Sequence, residues 1–226
     1  MEFSIKQSSA EKLKSGCVVV DVFESGKLSA AAQQLDKAAS QQIRKVVKNG
    51  DMTGKAASTL LLHKLAGIEA DRVLLVGLGK ASELNNKISI DILRATFKAL
   101  NDTPAKDAAL YITDEGVGKD ANWVIKQAVL IASEQAFRAD GMKSKPSKAA
   151  TLKSITFATT DKPSSELKTT LDQAAAIAHG MSFTKTLGNL PGNICTPTYL
   201  ATQALALGKA HKSIKTTVLE EKDMLK

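Results

Sequence analysis

Short apolar runs alternate with longer amphipathic ones along this chain. Residues 3–7, 17–23, 59–63, 72–76, 108–113 and 154–158 are short, rich in Val, Ile, Leu or aromatic residues and bounded by turn formers, which is the pattern of strands. Between them, 29–48 places Ala32, Leu35, Ala39, Ile43, Val46 and Val47 close to a 3.6-residue period, and Asn49-Gly50 supplies a left-handed stop. Ile92, Leu93, Ala95, Phe97 and Leu100 repeat that period over 89–100, as do Trp123, Val124, Leu130, Ile131 and Phe137 over 120–138. Strands alternating with helices of this length predict an α/β fold, a three-layer sandwich. The runs at 59–63 and 72–76 are joined by a short connection containing Gly67, and an antiparallel hairpin there would make the sheet mixed.

The strand pattern ends near Asp161-Lys162-Pro163-Ser164. There Ser164 or Ser165 caps a long helix that has Glu166 in its first turn. This places a boundary between an N-terminal domain at 1–163 and a second part at 164–226. The helix carries Leu167, Leu171, Ala174, Ala178 and Phe183, then breaks over 188–193. Thr196-Pro197 starts another helix, because Thr caps well and proline at the first helical position forfeits no needed hydrogen bond. Residues 214–219 read as a strand, and Glu220-Glu221 as the opening of a further helix. A strand with nothing completing it is what a truncated domain would present, so the expectation is a partial second α/β domain.

Composition sharpens the picture in three ways. With 226 residues, 43% hydrophobic, the chain can bury one sizeable core and a smaller appendage. No window approaches the roughly 18 apolar residues that span a bilayer, and Met1 to Lys6 lacks a secretion layout, so a cytoplasmic protein with no membrane partner is expected. The net charge of +8 admits an anionic partner, yet among 31 basic residues only Arg44, Arg72, Arg94 and Arg138 are arginine, the residue suited to bidentate base or phosphate readout. The lysines at 143, 145, 148 and 153 lie beside Pro146 and serines, as in a solvated loop. Cys17 and Cys195 are expected to be free thiols.

The search for chemistry is mostly negative. His63, His179 and His211 have no second ligand at metal-binding spacing. Val73-Leu-Leu-Val76 runs into Gly77-Leu78-Gly79-Lys80, which begins like a dinucleotide fingerprint but lacks the third glycine, and the next helix starts too late to cradle a pyrophosphate. Those glycines are expected to serve a tight turn. Gly50-Asp-Met-Thr-Gly54-Lys55 is one residue short of a phosphate-loop spacing. The adjacent acids Asp114-Glu115 and Glu220-Glu221 have no partner to tune them as acid and base. No catalytic, cofactor-binding or metal-ligating residue is nominated.

One segment is more specific. Thr184-Lys-Thr-Leu-Gly-Asn-Leu-Pro-Gly-Asn-Ile-Cys-Thr-Pro-Thr-Tyr-Leu-Ala201 resembles the N-x-P-x-N-x-x-T-P-x-x-L junction of the cytosol (leucyl) aminopeptidases. Arg72-Val-Leu-Leu-Val-Gly-Leu-Gly-Lys80, the stretch 128–145 and Val218-Leu-Glu-Glu-Lys-Asp-Met224 are similar to further parts of that family, whereas the first 70 residues fit in element order more than in sequence. Lys185 stands where many members have arginine, and Gly192 where a second proline is common.

The resemblance implies a macro-domain-like N-terminal domain followed by the first helices of a peptidase domain. In complete members the peptidase domain holds two divalent metal ions, zinc or manganese, that activate water to release N-terminal amino acids from peptides. Its ligands lie in motifs of the type K-G-x-x-F-D-S-G-G and N-T-D-A-E-G-R-L, and neither occurs in this chain. The implied role is therefore the N-terminal portion of a leucyl aminopeptidase, inert by itself and structural, with no cofactor of its own. Complete members are homohexamers; this chain alone is expected to be a monomer or weak dimer. A DNA-binding regulatory module is the alternative, since some bacterial members bind DNA. Analogy with macro domains would add ADP-ribose binding, for which the sequence offers no well-placed anion loop.

Overall fold

The computed structural model describes residues 1–111, 120–147 and 150–224. Six strands form one mixed sheet: β1 (Glu2–Gln7), β2 (Val18–Phe23), β3 (Thr59–His63), β4 (Arg72–Gly79), β5 (Asp107–Tyr111) and β6 (Ser154–Thr159). Their spatial order is β1-β6-β5-β2-β4-β3, with β3 antiparallel to β4 and every other pairing parallel. The expected strand at 108–113 is seen as far as Tyr111; its last two positions, with Asp114, Glu115 and Lys148, lie outside the described residues.

Seven helices accompany the sheet in the described residues: α1 (Ala30–Ala38), α2 (Gln42–Lys48), α3 (Asn86–Asn101), α4 (Ala121–Ala136), α5 (Ser165–Asn189), α6 (Pro197–Ala210) and α7 (Glu221–Met224). Alternation along β2 shows how the layers form. Val18, Val20 and Val22 enter one apolar cluster with Ala31, Ala32 and Leu35 of α1 and Ile43 of α2. Cys17, Val19 and Phe23 enter a second cluster with Phe97 of α3, Ile125 of α4 and Leu171 and Ala174 of α5. With helices on both faces the central strands are apolar on both, Asp21 of β2 excepted, which explains why they read as near-continuous runs.

One helix expected at 29–48 is instead two. Ser40 and Gln41 adopt left-handed conformations (φ 53° and 63°) between α1 and α2. The cause lies one turn earlier. Asp36 is buried, with its side chain 3% exposed, and such a carboxylate needs donors. The break delivers them: Asp36 Oδ1 accepts from the Arg44 backbone N–H at 2.8 Å and Oδ2 lies 3.5 Å from Arg44 Nε. Asp36 thus caps α2 from outside it, a role that Gln41 at the cap position leaves open. Asp36→Ala is expected to cost about 1–3 kcal/mol, read as a lower denaturation midpoint at unchanged slope.

Contacts group the chain into two compact units, residues 1–137 with 148–179, and 138–147 with 180–226. The sheet and both clusters lie in the first. In the second, Ile194 and Cys195 N–H groups return to the Pro191 carbonyl (2.9 and 3.0 Å), forming the turn that ends α5. Thr196 then caps α6 by accepting from Tyr199 N–H, with Pro197 in the first turn. The strand expected at 214–219 is not formed. No strand neighbours that segment among the described residues, and it folds back on α6, where Thr216 Oγ1 donates to the Ala204 carbonyl at 3.0 Å. Glu221 opens α7, as the acidic pair suggests.

Candidate functional site

Open α/β sheets take ligands beyond the carboxyl ends of strands whose connections leave on opposite faces. Here β2 leads to α1 against one face and β4 leads to α3 against the other, so the carboxyl ends of β2 and β4 are the place to look. Both glycine-containing motifs of the sequence come together at this point, and each is consumed by the other. Gly77 N–H donates to the Ser58 carbonyl (2.8 Å), Gly79 N–H to the Gly54 carbonyl (2.8 Å), and Ala57 N–H to the Gly77 carbonyl (2.9 Å). A Cβ on Gly77 would collide with the Lys55 carbonyl and Ser58 Oγ, and one on Gly54, itself at φ +70°, would collide with the Phe23 carbonyl. Main-chain donors spent on main chain cannot cradle a phosphate. Lys80 is turned to Glu83 at 3.1 Å.

Beside this interlock stands Asp21, the one acid among Val18-Val-Val-Asp-Val-Phe23. Its backbone is held by Ser29, whose N–H donates to the Asp21 carbonyl at 3.0 Å. Asp21 is half-buried, and the desolvation this brings pushes its carboxyl up to about 7. Two clefts lie against the sheet among the described residues. One, of about 600 Å³, is lined at the carboxyl end by Glu24, Lys27, Gln33, Arg44, Lys48 and Met52. The other, of about 410 Å³, opens at the amino end, where Asp107 Oδ2 accepts from Ser15 Oγ (2.7 Å) and Gly16 N–H (3.0 Å) while Arg72 donates to the Gly16 carbonyl (3.1 Å). These contacts tie the strand starts together.

The remaining sequence candidates stay scattered. His63 ends β3, His179 lies on α5 and His211 follows α6, all exposed. Cys17 and Cys195 are free, and burial pushes the Cys17 thiol up to about 12 against the pull of Arg72, which keeps it unreactive. Lys143 pairs with Asp140 at 2.6 Å. Among the described residues no three His, Cys, Asp or Glu side chains converge to hold a metal ion. Sequence reasoning passed over Asp21 and Asp36; a lone carboxylate in an apolar run is the signal that marks the first.

Comparison with known proteins places this architecture. Residues 19–146 match the family model described as the cytosol aminopeptidase family, N-terminal domain. The chain belongs to the cytosol aminopeptidase family. Among its relatives in that family, the probable cytosol aminopeptidase of Nitrosomonas europaea is 47% identical over 99% of this chain, and that of Nitrosospira multiformis is 45% identical over 99%. The chain covers only 46% and 44% of those two relatives, so it spans about half the length of the cytosol aminopeptidases it matches. The fold agrees. A mutant of tomato leucine aminopeptidase superposes with a TM-score of 0.76 at 20% identity, over 100% of this chain and 45% of that one. The bottromycin maturation enzyme BotP gives 0.67 at 17% identity, over 93% of this chain and 40% of its own, and a second structure of it is a complex with Mn. No helix among the described residues is long and apolar enough to cross a membrane.

Proposed function

We propose that this chain is the non-catalytic N-terminal part of a cytosol aminopeptidase, with its domain boundary near Ser164 and a structural role in assembling the complete enzyme. The observation that carries this reading is the set of large apolar side chains left exposed on and after α5. Ile177 and Met181 lie four residues apart on α5, and Leu200 and Leu207 seven apart on α6, so each pair shares a helix face. Faces of that kind mark contact with further protein. The other half of a cytosol aminopeptidase is the partner that fits, because the relatives continue over a length that these residues do not span.

Release of N-terminal amino acids from peptides, with zinc or manganese, is assigned to that other half, as is the core of a homohexamer. A cytoplasmic location fits the name shared by the relatives. The DNA-binding alternative rests on the family resemblance and the net charge of +8, with no feature of the described residues behind it, and is not proposed.

Incubated with leucine amide and added Mn²⁺ or Zn²⁺, the 226-residue chain is expected to show no turnover and no stoichiometric tight metal. Turnover that scales with chain concentration and is abolished by a chelator would refute the inert role.

A further inference from the structure

We propose that the outer edge of β3 is a self-recognition surface, on which β3 of a second copy of this chain pairs antiparallel about a two-fold axis at Leu61. The phase of the β3–β4 ladder is fixed at both ends: Gly77 N–H donates to the Ser58 carbonyl and Lys64 N–H to the Asp71 carbonyl. In an antiparallel ladder bonding alternates by residue, so Leu60 and Leu62 bond to β4, in register with Leu75 and Val73. Thr59, Leu61 and His63 therefore turn their N–H and C=O groups away from the sheet. No bond to these groups is found among the described residues, and β3 is the last strand in the sheet order.

The two edges of the sheet are guarded differently. At the opposite edge β1 carries Glu2 and Lys6, charges of the kind that discourage pairing. β3 reads Thr-Leu-Leu-Leu-His and has no acid, lysine or arginine within it. Its three leucines are half-buried, with Leu60 and Leu62 on one apolar cluster and Leu61 on the other. An uncharged, apolar edge with open main-chain groups is a template for another strand.

A second copy of β3 matches that template in register and charge. Centring the axis on Leu61 sets Leu61 opposite Leu61, Leu60 opposite Leu62, Thr59 opposite His63, and Ser58 opposite Lys64 of the other copy. No like charges meet. The residues that turn outward are the ones such a register brings into bonded pairs, adding about six ladder bonds and leucine contacts on both faces. A five-residue seam buries little area, so the dimer is weak and concentration-dependent.

The test is light-scattering mass of the chain from low micromolar to near-millimolar concentration. The mass is expected to climb from 23.9 kDa toward twice that value. Thr59→Pro removes only an outward-facing donor, and His63→Lys adds charge at an exposed position; each should hold the mass at the monomer value with unchanged circular dichroism. If Thr59→Pro disturbs the fold, His63→Lys decides. Leu200→Lys, on α6, should leave the dimer intact. In parallel, amide exchange at Thr59, Leu61 and His63 should slow by about tenfold or more at high concentration. A mass fixed at the monomer value throughout overturns the proposal. So does a dimer that Leu200→Lys abolishes while His63→Lys leaves it intact.

Discussion

Gly77→Ala is expected to cost at least about 4 kcal/mol, which in a chain of this size lowers the melting midpoint by roughly 8–16 °C. Alanine normally stabilises a strand relative to glycine, so the sign depends on what the new methyl meets. Here it meets the Lys55 carbonyl and Ser58 Oγ, inside the distance any real Cβ tolerates, with Gly54 just behind. Ser58 Oγ is fixed as well, donating to the Lys55 carbonyl at 2.6 Å. Relief would have to come from the main chain of 54–58. Moving that segment breaks the bonds from Gly77 and Gly79 and withdraws Met52, 2% exposed, from its cluster. Gly180 provides the contrast. It lies within α5 with nothing within 4 Å of an added Cβ, so Gly180→Ala should stabilise by about 0.5–1 kcal/mol. Thermal melts of the two variants should move in opposite directions, and a Gly77→Ala protein that melts like the parent would show that the interlock is loose.

Asp21 governs the second large effect, a loss of stability as pH rises. Its carboxyl titrates near 7 in the folded chain, against an ordinary value of 3.8. The folded state therefore holds a proton that the unfolded chain has already released. By linkage the contribution is fully present below about pH 4 and is lost as pH climbs to about 7, where the half-buried carboxylate ionises. The whole span is worth at most about 4 kcal/mol. Asp21→Asn stays neutral throughout and should gain up to that amount over the parent at pH 8, with little difference at pH 4. Chemical denaturation of both proteins at the two pH values measures it. Equal differences at both would place the Asp21 carboxyl in water.

Much of this architecture is legible from local chemistry. The strands are apolar on both faces because helices cover both, and that continuity is visible in Val18-Val-Val-Asp-Val-Phe23 and Arg72-Val-Leu-Leu-Val76 without any tertiary information. Two caps were legible too: Thr196 accepts from a backbone N–H three residues on, and of the two serines offered for α5 it is Ser164 that does so. Asp120 caps α4 in the same way without having been singled out. What failed did so for tertiary reasons. The break at Ser40-Gln41 serves a buried carboxylate whose burial no helical period reports. Residues 214–219 have β-branched content but no strand to pair with among the described residues, and propensity without a neighbour does not make a strand. The glycine motifs could be doubted from spacing, since each lacked a required residue. That they close on each other could not be seen, because they lie more than twenty residues apart. The family resemblance was read from the junction at 184–201, where the Pro191 carbonyl anchors a turn and Thr196-Pro197 starts α6.

The clamp between the two glycine segments also limits what this part of the protein could become. A pocket for a phosphorylated ligand on the β4 side would need free amides in a concave loop, and swapping surface side chains cannot release the ones already engaged. Such a capacity would have to arise by lengthening the chain between Met52 and Ser58, so that one segment could let go of the other while the sheet stayed whole.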